Sequence, residues 1–181
     1  MVNIYKLKLT KLQQEILRLL FVMAGRSLNQ RAIAKILEVS PPAVMKALPD
    51  LEKENFIVIK QDESKRWAIE LNRENPRVMQ LKRADNLKIV YESGLEDFIE
   101  KEFAGATIIL FGSYSRGEDI INSDIDLAVI GRKEKDVELS GFEKLLNRKI
   151  NINFYNSFKE IHKNLKENIL NGIVLVGGVE L

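Results

Sequence analysis

The stretch FGSYSRGEDIINSDIDLAVI, residues 111–130, places polar side chains at the ends of two apolar segments. The first apolar segment begins before this stretch and runs directly into Gly112-Ser113. The second begins at Asp124 and carries Asp126 two residues later. Apolar segments of this length, bounded by turn residues, are typical of buried strands. The stretch therefore predicts a strand, a short helix, a loop and a second strand.

Asp124 and Asp126 are the candidate metal ligands. On a strand their side chains point to the same face, with Cα atoms roughly 6.5 Å apart. Two carboxylates on one face repel each other unless a cation lies between them, and oxygen ligands of this kind favour Mg²⁺ or Mn²⁺. Two structural alternatives stay open at this point: a solvent-facing strand end, or ion pairs with Arg116 or Arg132.

Gly112, Ser113 and Arg116 are the candidate nucleotide-binding residues. A strand that ends in Gly-Ser and turns into a helix presents free backbone N–H groups, which suit a phosphate. Glycine allows a close approach of the backbone, the Ser113 hydroxyl adds a donor, and Arg116 adds a permanent positive charge. Many Gly-Ser pairs after a strand are simple turns, so the nearby aspartates give this pair its significance.

The composition is that of an ordinary globular protein. The 181 residues are 45% hydrophobic and 30% charged, and they include no cysteine, which excludes disulfides and thiolate metal sites. No apolar run approaches the roughly 20 residues that span a bilayer, and the N-terminus lacks a signal-peptide pattern. We therefore expect a cytoplasmic protein without membrane contact. Helical segments followed by mixed strands and helices indicate an α+β fold.

Residues 1–75 predict three helices and a two-stranded hairpin. Helical stripes in KLQQEILRLLFVMAG and LNQRAIAKILE precede a third helix, for which Ser40 is the predicted N-cap. Pro49 should kink or split that helix because it removes a hydrogen bond. FIVIK and RWAIEL then predict two strands, with Trp67 in the hairpin core beside Ile69. This order resembles the winged helix-turn-helix domains that bind DNA.

The resemblance implies that the third helix enters the major groove of double-stranded DNA. The candidate DNA-binding residues are basic side chains of that helix and of the wing: Lys46, Lys60, Lys65 and Arg66. The first 75 residues carry 13 Lys and Arg against 9 Asp and Glu. However, the third helix opens with Pro-Pro-Ala-Val and ends among acidic residues, which leaves dimerisation or a spacer role as the alternative. DNA-reading domains of this type are commonly homodimeric.

The chain divides into three parts in this interpretation. Residues 1–75 form the winged helix-turn-helix DNA-binding domain, and residues 76–104 form a helical linker after the polar break NRENP. Residues 105–181 form the domain with the sheet. Its predicted strands are TIILFGS, DIDLAVIG, KININFY and GIVLVGG, and its later helices are predicted at 136–147 and 157–171.

The motif pair GSYSRGE and SDIDLAV resembles the minimal nucleotidyltransferases of the DNA polymerase beta superfamily. The likeness extends more loosely over residues 105–178, and a winged helix in front of such a domain resembles an archaeal architecture. The resemblance implies a nucleotidyltransferase fold with a mixed sheet flanked by helices. It also implies a nucleoside triphosphate, first of all ATP, held by Gly112, Ser113 and Arg116, and Mg²⁺ (or Mn²⁺) held by Asp124 and Asp126.

The implied reaction is transfer of a nucleotidyl group, AMP in the case of ATP, to a hydroxyl of a protein or nucleic acid with release of pyrophosphate. Family members usually add a third carboxylate within a pattern such as Arg-Lys-Val-Asp-Leu. This chain reads Arg-Lys-Ile-Asn-Ile, so Asn151 occupies that catalytic position. An amide is neutral and cannot act as a base near pH 7. The hypothesis is therefore that Mg·NTP binding survives while transfer is weak or absent.

Two functions stay open from the sequence. One is an enzyme that modifies a partner protein or a nucleic acid, with the winged helix choosing the target. The other is a transcription regulator of little or no catalytic activity, whose second domain senses a nucleotide or serves for dimerisation. Three further carboxylates could substitute for the missing one, and their placement is not determined by the sequence: Glu118, Asp119 and Glu143.

Overall fold

The computed structural model describes residues 8–61 and 67–179 of the chain. The chain divides into two compact units, Met1–Val78 and Met79–Leu181, and each unit has its own β-sheet. The mixture of helices with two separate sheets confirms the predicted α+β class. Within the described ranges, no helix combines the length and the apolar character that a membrane span requires.

The first unit consists of three helices followed by an antiparallel hairpin. Its elements are α1 (Lys11–Val22), α2 (Gln30–Ile36), α3 (Pro41–Lys53), β1 (Ile57–Gln61) and β2 (Trp67–Leu71). This is the element order of a winged helix-turn-helix, as predicted. Each helix begins after a side chain that accepts a hydrogen bond from its first turn, namely Thr10, Asn29 and Ser40. Local capping therefore determines where the three helices start.

The core of the first unit is formed by one face of each helix and by the hairpin. Its fully buried side chains include Ile16, Ile33, Val44, Leu51, Phe56 and Ile69. Burial of an aliphatic side chain contributes about 1.5–3 kcal/mol relative to its exposure, so this face stabilises the helices more than their intrinsic propensity does. A buried amide also joins α1 to α3, because Gln13 Nε2 donates to Asp50 Oδ2 at 2.8 Å.

Pro49 does not split α3, which was one of the two outcomes expected from the sequence; the other was a kink. The helix runs without a break from Pro41 to Lys53 with Pro49 inside it. A proline in a helix interior costs about 3 kcal/mol because its ring removes one hydrogen bond and crowds the preceding turn. The burial of Leu48 and Leu51, on either side of the proline, offsets that cost.

Trp67 lies outside the core, so its predicted position is wrong. Its side chain is 57% exposed, whereas Ile69 and Leu71 on the same strand are buried. Strict alternation assigns all three residues to one face of β2. However, Trp67 pairs with Gln61 at the far end of the hairpin, while Ile69 forms a β-bridge with Leu28. The residues that pack over this face of β2 bury Ile69 but do not extend to Trp67.

The second unit contains a four-stranded sheet with helices around it. Its helices are α4 (Pro76–Glu92, which begins just before the unit boundary), α5 (Leu95–Glu102), α6 (Gly112–Arg116), α7 (Ser140–Leu146) and α8 (Lys163–Leu170). Its strands are β3 (Thr107–Phe111), β4 (Ile125–Ile130), β5 (Ile150–Tyr155) and β6 (Ile173–Val176). The order across the sheet is β5-β4-β3-β6. Strands β4 and β5 are parallel and the other two pairs are antiparallel, so the sheet is mixed as predicted.

Residues 76–104 are helical, but they are more than a linker. From residue 79 onward they belong to the second unit. Four of their apolar side chains lie in the same buried cluster as residues of β3 and β4: Val90, Leu95, Ile99 and Phe103. The sequence suggested a connecting segment because it shows helical periodicity without a motif. The structure shows that these helices cover one face of the sheet, which would otherwise be exposed to water.

Candidate functional site

Strand register brings three polar segments to one edge of the second unit's sheet. Strand β4 lies between β3 and β5, and Asp126 pairs with Phe111 on one side and with Asn151 on the other. Because β3 is antiparallel to β4, the end of β3 meets the beginning of β4. Because β5 is parallel to β4, it begins at the same edge. The Gly112-Ser113 turn, the two aspartates and Asn151 are therefore neighbours.

Asn151 contacts both aspartates directly. Its Nδ2 donates to Asp124 Oδ2 at 3.1 Å and to Asp126 Oδ1 at 3.2 Å. Both carboxylates are half-buried and Asn151 is exposed, so the three side chains form an accessible polar group. The residue that stands in place of the expected third carboxylate thus lies beside the other two, and it reaches them as a hydrogen-bond donor.

Gly112 is required for the close approach of β3 to Asp126. It is buried with a backbone φ of +76°, a conformation that residues with a Cβ rarely adopt. A Cβ at this position would lie 2.6 Å from Asp126 Oδ2, which is a steric clash. Ser113 follows in the first turn of α6 and is half-buried. The turn is held by Ser115, whose Oγ donates to the carbonyl oxygen of Gly112 at 2.9 Å.

Arg116 is already bonded within the protein. Its Nε donates to Glu118 Oε2 at 2.7 Å, and its Nη1 donates to Asn168 Oδ1 of α8 at 3.0 Å. The side chain is 38% exposed, so the pair with Glu118 is a surface ion pair. A phosphate contact by Arg116 would require an exchange of these bonds. The same bonds engage Glu118, one of the carboxylates considered as a substitute.

A buried polar network lies next to the segments that carry the site. Asp119, only 1% exposed, accepts hydrogen bonds from Lys82 Nζ and from Asn86 Nδ2, the latter at 2.7 Å, and its Oδ2 lies 3.5 Å from Arg148 Nη2. Asn86 Nδ2 also donates to the carbonyl of Tyr114 in α6 at 2.9 Å. The network therefore joins α4, α6 and the residues just before β5. Asp119 is enclosed in it and is not available as a substitute catalytic carboxylate.

The sequence of α4 carries a signal for this network. Val78, Lys82, Asn86 and Val90 recur every four residues along α4, and all four are buried. A lysine and an asparagine within an apolar helical stripe indicate buried polar groups that need partners. The partners, Asp119 and Arg148, are distant in sequence, so periodicity alone does not identify them.

A polar cleft of about 620 Å³ borders Asp124. Its walls come from the loop before β4, from α7 and from the turn before β5: Ile121, Asn122, Ser123, Asp124, Ser140, Glu143, Lys144, Asn147, Arg148 and Lys149. Glu143 is the remaining carboxylate of the three considered, and its Oε1 accepts a hydrogen bond from the backbone N–H of Ile150 at 3.0 Å. Across residues 8–61 and 67–179, no group of three or more His, Cys, Asp and Glu side chains is placed to hold a metal ion.

The candidate DNA-binding residues are only partly described. Lys46 on α3 and Lys60 on β1 are both exposed, as a contact with phosphates requires. Lys65 and Arg66 lie outside the described residues. A groove of about 400 Å³ lies beside α3, and Met45, Pro49 and Trp67 line it together with Ile59 and Glu52.

Comparison with known families finds a match in the second unit. The family described as "Nucleotidyltransferase domain" matches residues 92–176, which include β3, the Gly112-Ser113 turn, both aspartates and Asn151. The match begins before residue 105 and includes α5, in agreement with the packing of that helix in the unit's core. A search of curated proteins finds no significant match.

Comparison with solved structures finds bacterial proteins at low similarity. A MepR–DNA complex of Staphylococcus aureus is 22% identical, with a TM-score of 0.39 over 52% of this chain and 77% of that one. The adhesin competence repressor AdcR of Streptococcus pyogenes is 23% identical, with a TM-score of 0.43 over 57% and 72%. A mutant of Lactococcus lactis ZitR is 21% identical, with a TM-score of 0.42 over 57% and 68%. At scores this low, the winged-helix assignment rests on the element order of the first unit.

Proposed function

We propose that the second unit binds a nucleoside triphosphate together with Mg²⁺, and that ATP is the first nucleotide to test. One observation carries this proposal. Within the segment that matches the nucleotidyltransferase family, strand register places Asp124 and Asp126 beside the Gly112-Ser113 turn. Oxygen ligands next to the first turn of a helix, where the backbone N–H groups have no partner within the helix, suit a cation and a phosphate at the same place.

The residues present fit a magnesium ion (or Mn²⁺). Asp124 and Asp126 offer hard oxygen ligands, are half-buried, and already share a positively polarised partner in the amide of Asn151. When bound, the cation neutralises phosphate charge and orients the nucleotide. The backbone at Gly112 and the hydroxyl of Ser113 hold the phosphates, while Gly112 keeps the turn close to Asp126.

The reaction that this arrangement supports is transfer of a nucleotidyl group to an acceptor hydroxyl, with pyrophosphate as the leaving group. The chain's own residues position the α-phosphate. In such reactions, positioning and charge stabilisation provide most of the rate enhancement. Asn151 cannot take the proton of the acceptor hydroxyl. We therefore propose slow transfer, to a partner protein or a nucleic acid, and we retain the alternative of a regulator that binds the nucleotide without transferring it.

We also propose that the first unit binds double-stranded DNA through α3 and the wing. Its element order and the exposure of Lys46 and Lys60 support this proposal. At the C-terminal end of α3, the exposed carboxylates of Asp50, Glu52 and Glu54 would repel DNA phosphates. Because α3 opens with Pro-Pro-Ala-Val, which offers no polar side chain to read bases, the binding should depend more on phosphate contacts than on base sequence.

Calorimetric titration of Mg·ATP into the whole protein tests the nucleotide proposal. Binding needs no knowledge of the acceptor, so this measurement can precede any activity assay. We expect magnesium-dependent binding, and its loss in the double variant Asp124→Ala/Asp126→Ala, because the variant removes both charged ligands. Circular dichroism of the variant confirms that it is folded. If no nucleoside triphosphate binds to the natural chain, the proposal is wrong and the unit is a protein- or DNA-contacting module.

A further inference from the structure

Asn151 stands where a third carboxylate is expected, and it presents an amide nitrogen to the two aspartates. In a parallel pair of strands, Asn151 is directly opposite Asp126. Its Nδ2 carries two hydrogens, and one nitrogen reaches both Asp124 Oδ2 and Asp126 Oδ1. Ionised carboxylates only accept hydrogen bonds, so the amide must face them with its nitrogen. Two like charges are thereby bridged by a neutral group of this same chain.

The two oxygens of Asp126 face different partners. Oδ1 accepts from Asn151, whereas Oδ2 is directed to Gly112, since a Cβ there would lie 2.6 Å from it. The oxygen that faces the proposed phosphate site is thus separate from the oxygen held by the amide. A cation that uses Asp126 Oδ2 would leave the bond from Asn151 to Oδ1 in place, whereas a cation that uses Oδ1 together with Asp124 Oδ2 would have to displace the amide.

We infer that Asn151 replaces one of the two cations of a nucleotidyltransferase site. The amide holds Asp124 and Asp126 together in the metal-free protein, and the site takes a single divalent cation, on the side of Gly112, when the nucleotide binds. The second half of this inference, the single cation, rests on the proposed nucleotide binding. The first half, a carboxylate pair that is stable without metal, rests on the geometry of the three side chains alone.

The first half predicts how the protein melts with and without metal. In excess chelator the natural chain should melt at the same temperature as in Mn²⁺ without nucleotide. Asn151→Asp places three carboxylates together, so in chelator its second unit should melt about 4–8 °C lower, with recovery in Mn²⁺. Asn164→Asp is the matched control, because it adds the same charge at an exposed position of α8 and should melt like the natural chain in both buffers. If Asn151→Asp melts like the natural chain in chelator, the amide does not hold the pair and the inference is wrong.

The second half predicts the number of cations bound. Electron paramagnetic resonance of free Mn²⁺ counts the ions bound in the presence of a non-hydrolysable ATP analogue. We expect one Mn²⁺ for the natural chain and for Asn164→Asp, two for Asn151→Asp, and one for Asn151→Ala, which loses the bridge without adding a ligand. Two ions bound to the natural chain would overturn the inference and leave the proposed function intact. Absence of analogue binding would overturn the proposed function and the single-cation half together, and the melting experiment still decides the role of the amide.

Discussion

Gly112 shows how one residue without a side chain shapes the candidate site. Its backbone conformation disfavours a residue with a Cβ, and a Cβ there would force the Asp126 carboxylate to shift. We predict that Gly112→Ala lowers the free energy of unfolding by about 1–3 kcal/mol, because alanine is strained at positive φ and its methyl group displaces the carboxylate. The same variant should lose Mg·ATP binding. Denaturant unfolding and calorimetric titration measure the two effects.

Gly141 provides a matched control for that substitution. It lies in α7 without a positive φ, and a Cβ there would have no neighbour within 4 Å. Gly141→Ala should therefore raise stability by about 0.5–1 kcal/mol, because alanine is the better helix former. Equal effects of the two substitutions would contradict the steric argument for Gly112.

In the proposed reaction, Asn151 is the residue that limits transfer. Asn151→Asp restores a carboxylate next to Asp124 and Asp126, the place where the amide now donates to both. We predict that nucleotidyl transfer rises by at least tenfold in this variant, since a general base contributes about 10²–10⁴ in rate and part of that gain is lost to imperfect positioning. Incorporation of label from α-³²P-ATP into a cell extract measures transfer without knowledge of the acceptor. Transfer by the natural chain equal to that of the variant would show that Asn151 does not limit the reaction.

At the scale of elements, the most consequential feature is the buried network that joins α4 to the loops of the site. Its four side chains come from distant parts of the chain, and Lys82 has no exposed area. Asp119 faces the positive charges of both Lys82 and Arg148. The loop that leads to Asp124 is therefore fixed by charge pairing as well as by apolar packing.

We predict that Asp119→Ala lowers the free energy of unfolding of the second unit by about 3–5 kcal/mol, because it removes the carboxylate that two buried cations face. Glu118→Ala is the matched control. Glu118 is the preceding carboxylate, and its ion pair with Arg116 is exposed, so its loss should cost no more than about 1 kcal/mol. Denaturant unfolding followed by circular dichroism separates these outcomes. Similar costs for the two variants would mean that the buried pair contributes no more than the surface pair.

At the scale of the whole molecule, a proposed DNA-binding unit and a proposed nucleotide-binding unit share one chain. If the first unit binds DNA through phosphates, binding to random duplex DNA should weaken steeply with salt. We predict that Lys46→Ala and Lys60→Ala each reduce the slope of log affinity against log salt by about one. Fluorescence anisotropy of labelled duplex with the full chain measures this slope.

The control for the salt experiment comes from the second unit. Lys88 on α4 is exposed and already pairs with Glu92, so Lys88→Ala should leave the slope unchanged. A chain that fails to bind duplex DNA even at low salt would remove the DNA-binding proposal. In that case the apolar surface around Met45 and Trp67 is the part of the first unit to examine for protein contacts.

The sequence by itself determined the elements and their order. Capping residues, helical stripes and apolar runs are local signals, and they placed the three helices, the hairpin and the four strands of the second sheet close to their observed bounds. The motif from Gly112 to Asp126 also indicated which strand ends carry polar chemistry. These features depend on residues that are close together in the sequence, so they can be predicted without knowledge of the tertiary structure.

Only the tertiary structure decided which distant residues meet. The exposure of Trp67, the packing of α4 and α5 in the second unit's core, and the burial of Asp119 with Lys82 all depend on contacts between segments far apart in sequence. The same is true of Asn151, whose two bonds to Asp124 and Asp126 follow from the parallel pairing of β4 and β5. Local patterns do not specify these contacts, because the partners of a strand or helix are settled only when distant segments pack together.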